Sequence, residues 1–221
     1  MEDVKDIEIK LINISKKFEK NEILKNINLD LNNESFTAIL GKSGSGKTTL
    51  LNIISLIDTY TTGKYIFNGS KILKNKDYAE YRRNYISIIF QSYNLISNMT
   101  VEENIKLPFI YSKENVEKRN FDELTKYLDI RSLLDKPVYV LSGGEKQRVA
   151  IARSIITNPS LIIADEPTGN LDEDNKWKVF EILKREKEKG RGILVVTHDK
   201  ELASECNEIY YLKKGKLNRD D

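Results

Sequence analysis

The sequence predicts an α/β fold in which buried strands alternate with helices, antiparallel strands come first and a helical stretch interrupts the order. Three observations predict it. Residues 41–49, Gly-Lys-Ser-Gly-Ser-Gly-Lys-Thr-Thr, fit the pattern G-x-x-x-x-G-K-[ST] and stand between an apolar strand at 35–40 and an apolar helix at 47–57. Residues 7–14 and 23–31 alternate apolar and polar side chains, as half-buried antiparallel strands do. From 92 to 156 strand patterns become scarce, and apolar residues recur at helical spacing with charges between them.

The glycine-rich stretch carries chemistry as well as structure. Gly41, Gly44 and Gly46 let the loop, with Ser43 and Ser45 between them, curl and turn its N–H groups inward as an anion nest. Lys47 adds a mobile charge suited to β- and γ-phosphates, and the Thr48 hydroxyl suits Mg²⁺. The helix that starts here points its dipole at the same place. Chance alone would put such a motif in roughly one chain of this length in a hundred. The chain therefore reads as nucleotide-binding.

Composition narrows the class. The 221 residues suffice for one sizeable domain or a core with an insertion. Charged residues make up 32% but the net charge is only +2, with lysines and glutamates interleaved, so no nucleic-acid partner is expected. Cys206 stands alone, which rules out an intramolecular disulfide, fits a reducing compartment and reads as a small core residue. The acidic, polar first residues do not resemble a signal peptide. The best apolar run, 50–57, is short and broken by Asn52 and Ser55, so no direct membrane insertion is expected; another chain would have to hold the protein at a membrane.

Taken in order, 15–21 is a polar turn whose Phe18 either stacks on a flat base or packs on the sheet. A strand at 64–67 closes with an Asn68-Gly69 turn, 77–85 is helical, and 86–90 is a buried strand. Gln91 ends that strand where α/β sheets bind ligands, and is a candidate sensor of metal and attacking water. Helices are expected at 101–110, 116–128 and 145–156, with the charge-rich 113–123 as a solvated face. Ser142-Gly143-Gly144 opens the last of them, offering either a second anion site or an ordinary serine cap.

Leu161–Asp165 is an apolar strand ending in Asp165-Glu166. Alternation along a strand would aim the two carboxylates apart. Asp165 suits Mg²⁺, and Glu166 would orient or deprotonate a water attacking the γ-phosphate. Gly169-Asn170-Leu171-Asp172 leads into a helix with a Trp177, Phe180, Leu183 stripe and a face carrying Glu181, Lys184 and Glu188, ended by Gly190. A buried strand at 192–196 is followed by His198, the only histidine, placed for a γ-phosphate contact. A strand at 208–212, a Lys-Lys-Gly turn and a polar tail finish the chain.

With these motifs in this order, the chain resembles the nucleotide-binding subunit of an ATP-binding cassette (ABC) ATPase over essentially its full length. The phosphate loop, Gln91, the signature Leu141-Ser142-Gly143-Gly144, Asp165-Glu166 and His198 carry the resemblance. It implies a P-loop NTPase with an ABC-type core (1–91 and 157–221), an antiparallel β subdomain within it, and a helical subdomain at 92–156. It implies that two subunits pack head to tail around two ATPs. Each ATP would lie between Lys47, Thr48, Thr49, Gln91, Asp165, Glu166 and His198 of one subunit and Ser142, Gly143 and Gly144 of the other. Asp172 would sit at the seam, and Phe18, where tyrosine is more usual, would stack on adenine.

Arg82-Arg83-Asn84-Tyr85, the run from Phe90 to Ile96, Thr100-Val101-Glu102-Glu103-Asn104 and Gly169-Asn170-Leu171-Asp172 resemble the lipoprotein-release and macrolide-efflux group. That group includes antimicrobial-peptide exporters, and the cell-division ATPase is similar. The resemblance implies a separate transmembrane permease and a position at the cytoplasmic face of the membrane, and with so few residues after the last strand no regulatory domain is expected there. The groove beside Gln91 would meet the permease, and 93–98 either lines it or packs inside the helical insertion. The rival readings are a cell-division-type ATPase that signals without transport, a soluble cassette acting on nucleic acid or ribosomes, and a nucleotide-binding scaffold.

Overall fold

The computed structural model describes residues 4–73, 78–110 and 121–220. Two sheets organise it. The first is antiparallel, in the order β2-β1-β4-β5, from β1 (Glu8–Phe18), β2 (Asn21–Asn32), β4 (Thr62–Phe67) and β5 (Ser70–Lys71). The second has the order β10-β9-β3-β8-β7-β6, from β3 (Phe36–Leu40), β6 (Ile86–Ile89), β7 (Leu161–Asp165), β8 (Gly192–Thr197), β9 (Glu208–Lys213) and β10 (Lys216–Arg219). Its pairs are parallel except β9 with β10.

The parallel sheet is covered on both faces, which is why its strands read as unbroken apolar runs. Alternation still sorts the side chains. Ile39, Leu161, Ile163, Leu194 and Val196 join the core beneath the antiparallel sheet and α1 (Lys47–Ile54). Phe36, Ile162, Ala164, Ile193 and Val195 join a second core with α6 (Glu173–Glu188) and the helical stretch. Phe36 stacks on Phe180 of α6 at 5.7 Å, and Trp177 meets Phe180 edge-on at 6.1 Å, so the expected apolar stripe is where α6 docks.

Helix α2 (Ala79–Tyr85) precedes β6, and among the described residues the helical stretch holds α3 (Val101–Lys106), α4 (Phe121–Tyr127) and α5 (Gly143–Ile155), with short 3₁₀ turns at Leu107–Phe109, Arg131–Leu133 and Val138–Val140. Thr100 and Glu103 form a capping box on α3, and Pro108 lies in the 3₁₀ turn that ends it before the expected 110. Of the expected helices at 77–85 and 116–128, residue 77 and residues 116–120 lie outside the described residues, as does most of the charge-rich 113–123.

Four expectations need correction. Helix α1 stops at Ile54 rather than 57, because the buried Ser55 hydroxyl donates back to the Leu51 carbonyl at 2.7 Å and Leu56 takes φ +60°. The polar turn at 15–21 is mostly strand: β1 and β2 pair as far as Phe18 with Asn21, leaving Glu19 and Lys20 as the turn, with Glu19 at φ +52°. The polar tail contains β10, because backbone pairing to β9 across the Lys214-Gly215 turn needs no apolar face. A short helix, α7 (Lys200–Ser204), follows His198; its signal was Asp199, whose carboxylate caps it from the Glu201 and Leu202 amides.

Candidate functional site

Parallel strands bring their C-terminal ends to one edge of a sheet, and there the functional side chains meet. The loop after β3, Gln91 beyond β6, Asp165 and Glu166 at the end of β7, and His198 after β8 line one cleft of about 590 Å³, with Phe18 from the hairpin. Gly41, Ser43, Gly44, Gly46, Lys47, Thr48 and Thr49 supply its floor, and Lys42 and Ile23, which sequence reasoning missed, also face it.

The loop geometry follows from its glycines. Gly46 caps α1 at φ +104°, and a Cβ on Gly41 would lie 2.6 Å from Ser45 Oγ and 2.8 Å from the Leu212 carbonyl oxygen. Ser45 departs from expectation. It does not line the cleft, and its hydroxyl is buried inside the loop with no hydrogen-bond partner. Lys47 Nζ donates to the Gly41 carbonyl at 2.6 Å and the Lys42 carbonyl at 3.3 Å, and lies 3.9 Å from Glu166 Oε1.

Asp165 and Glu166 line the same cleft, and strand alternation does not set the direction of the second. Asp165 is the last residue of β7, whereas Glu166 sits in the left-handed region at φ +46°, its amide bonded to the Val196 carbonyl at 2.8 Å. That conformation costs a non-glycine residue about 1 kcal/mol or more, and it swings the carboxylate toward Lys47 and His198. His198 Nδ1 lies 2.9 Å from Glu166 Oε2 while its ring stays largely exposed. Burial pushes the Asp165 carboxyl above the usual aspartate range; the neighbouring Glu166 charge adds to this and Lys47 opposes it.

The donor set fits Mg²⁺ bound together with a phosphate ligand. Among the described residues no group of three or more His, Cys, Asp or Glu is placed to hold an ion. The cleft instead offers the Thr48 hydroxyl, the Gln91 amide and the Asp165 carboxylate, all oxygen donors, beside Lys47. Mg²⁺ is usually held this way, by a few protein oxygens with phosphate and water completing the shell.

Phe18 is half exposed and stands on the cleft wall. Ser142, Gly143 and Gly144 lie outside this cleft. Gly143 lies against Tyr93 and Asn170, and Gly144 against Asn175: a Cβ on Gly143 would come 3.4 Å from Tyr93 Oη, and one on Gly144 would come 3.0 Å from Asn175 Oδ1. Ser142 and Glu145 form a capping box that satisfies two amides of α5, Glu145 accepting from Ser142 N at 2.8 Å. The local structure is thus a serine cap. Asp172 caps α6 through the Asn175 amide at 2.9 Å, which holds its carboxyl below the usual range.

The segment after Gln91 shows a residue that sequence reasoning did not single out. Arg153, one helix away on α5, donates to the carbonyls of Tyr93 at 2.8 Å and Asn94 at 2.6 Å. Both carbonyls belong to residues at positive φ. Leu95 packs on the helical core, while Ile96 is exposed.

Comparison with known proteins agrees with this geometry. The family model described as "ABC transporter" matches residues 24–169. The chain is 43% identical over 214 residues to the macrolide export ATP-binding/permease protein MacB of Campylobacter jejuni, covering 95% of this chain but 33% of MacB. It is 40% identical over 206 residues to the bacitracin export ATP-binding protein BceA of Halalkalibacterium halodurans, covering 91% of this chain and 81% of BceA. Among solved structures, the ATP-binding cassette MJ0796, as a dimer in a post-hydrolysis state with ADP and Pi, superposes with a TM-score of 0.85 at 37% identity, covering 96% of this chain and 97% of the other. The motif residues, their meeting at one sheet edge and these likenesses agree: the chain belongs to the ABC transporter family, as an ATP-binding domain.

Proposed function

We propose that the chain binds ATP in this cleft and hydrolyses it, serving as the ATP-binding subunit of a membrane transporter of the export group. One observation carries the reading: Lys47, Thr48, Gln91, Asp165, Glu166 and His198 face the same cleft as the exposed ring of Phe18. Phe18 stacks on adenine, the loop amides and Lys47 hold the phosphates, and His198 contacts the γ-phosphate. Glu166 orients a water for in-line attack and takes up its proton, while Lys47 stabilises the charge that develops on the phosphoryl oxygens. Thr48, Asp165 and Gln91 would hold Mg²⁺, which would supply charge neutralisation for the phosphoryl group.

Two subunits close head to tail, each presenting Ser142, Gly143 and Gly144 to the other's ATP, with Asp172 at the seam. The dimeric cassettes of MJ0796 support this assembly. Residues 92–156 act as the helical subdomain, and a transmembrane permease on a separate chain docks beside Gln91 and holds the ATPase at the cytoplasmic face of the membrane. No helix among the described residues is long and apolar enough to cross a membrane. The names of MacB and BceA support an exporter of antibiotic or peptide.

The test uses tagged Glu166→Gln protein incubated with ATP and solubilised membranes. Recovery of a polytopic permease supports the transporter reading. Recovery of ribosomes or DNA without any membrane protein would overturn it.

A further inference from the structure

Lys16 is not a surface lysine. It is buried in β1, and its ammonium donates to Asp58 Oδ1 at 2.7 Å and to the Thr59 carbonyl at 2.6 Å. Those acceptors lie just beyond α1, the helix whose other end carries Lys47 and Thr48. The same ammonium stands 4.8 Å from the centroid of the Phe18 ring, over its face. Phe18 is the last residue of β1, half exposed beside a two-residue turn. Side chains in such places ordinarily sample several rotamers.

A cation over an aromatic face is attracted by the ring quadrupole and fixes the ring's orientation. Here the cation is itself fixed by two short hydrogen bonds, one of them to a carboxylate. We infer that Lys16 is a positioning residue for base recognition: anchored on the Asp58-Thr59 turn, it holds one face of Phe18 and so presents the other to the purine. The device links the two ends of a nucleotide site, because α1 begins at the phosphate loop and leads into the turn that anchors the ring's support. Pre-orienting the ring lowers the ordering cost of stacking, so binding of any nucleotide with a flat base gains, and binding of a bare polyphosphate does not. The inference rests on the reading of Phe18 as the base-stacking residue.

The experiment measures equilibrium binding of ATP and of inorganic tripolyphosphate to wild type, Phe18→Ala, Lys16→Arg, Lys16→Met/Asp58→Asn and the corresponding triple variant. The double substitution removes the buried cation together with its half-buried partner charge, so neither is left unpaired. It is expected to weaken ATP binding about three- to tenfold. The KM for ATP should rise in parallel while kcat and tripolyphosphate affinity stay near wild type. Lys16→Arg, which keeps a cation over the ring, should recover most of the loss, and Phe18→Ala should cost less in the double-variant background than in wild type. Equal losses for ATP and tripolyphosphate would overturn the inference, since Lys16 would then act only by supporting α1. So would unchanged ATP affinity in the double variant while Phe18→Ala is weakened. Unchanged ATP affinity in Phe18→Ala itself would instead remove the base-stacking reading, and this inference with it.

Discussion

Glu166 is shared by two side chains from different segments: its Oε2 lies 2.9 Å from His198 Nδ1, and its Oε1 lies 3.9 Å from Lys47 Nζ. The carboxylate reaches both partners because its backbone turns at positive φ after β7. One left-handed residue thus brings the loop after β3 and the loop after β8 to the same carboxylate.

Glu166→Gln keeps the size of this group and one acceptor oxygen but removes the base. ATP turnover should fall at least about a hundredfold while ATP binding persists, as read by steady-state ATPase and equilibrium binding. Turnover that survived the change would remove Glu166 from the water-orienting role.

His198→Ala should leave ATP affinity within about threefold and reduce kcat by roughly ten- to a hundredfold, because the interaction lost is one to developing charge. A rise in KM with kcat unchanged would place His198 in uniform substrate binding instead.

Arg153 closes two carbonyls of a segment that carries two consecutive residues at positive φ, Tyr93 and Asn94. Charged donors to carbonyls contribute more than neutral ones, so Arg153→Met should cost about 2 kcal/mol in urea unfolding. Arg153→Lys should recover only part of this, since one ammonium cannot reproduce the planar fork. If Gln91 is held through this segment, ATPase activity should fall in the same order.

Gly144 leaves no room for a methyl group: its Cβ would sit 3.0 Å from Asn175 Oδ1. Asn175 cannot yield freely, because its amide nitrogens are bonded to Asp172 at 2.8 to 3.0 Å. Gly144→Ala should destabilise the protein by about 1 kcal/mol, and Asn175→Ala should relieve much of that clash. A double-mutant cycle read by thermal unfolding checks the coupling.

Glu145 is held below its ordinary value of 4.5, first by the Ser142 backbone amide, and so favours the folded state only when ionised. The stabilisation is present above about pH 4.5, where the unfolded chain is also ionised, and is lost as pH falls through the lower folded-state value. Glu145 is only lightly buried, so the difference from Glu145→Gln should be about 0.5 kcal/mol at pH 7 and should vanish in acid. Urea unfolding of both proteins from pH 7 down to pH 3 measures it.

The sequence alone determined the order of the elements and the identity of the chemical groups. The phosphate loop, the carboxylate pair after β7 and the lone histidine after β8 were legible because each is a short-range pattern: a strand, a turn, and a residue type at a fixed offset. The apolar stripe of α6 and the buried strands were legible for the same reason, since burial follows periodicity. What periodicity cannot contain is contact between distant segments. That Arg153 reaches the carbonyls of Tyr93 and Asn94, that Lys16 lies over Phe18, and that Ser142–Gly144 pack away from the cleft were decided only by the tertiary structure. Strand β10 was missed because edge pairing is made by backbone groups that every residue carries. The left-handed turn at Glu166 escaped for a related reason: a non-glycine residue enters that region only when surrounding contacts force it there, and those contacts come from β8 and the loops beside it.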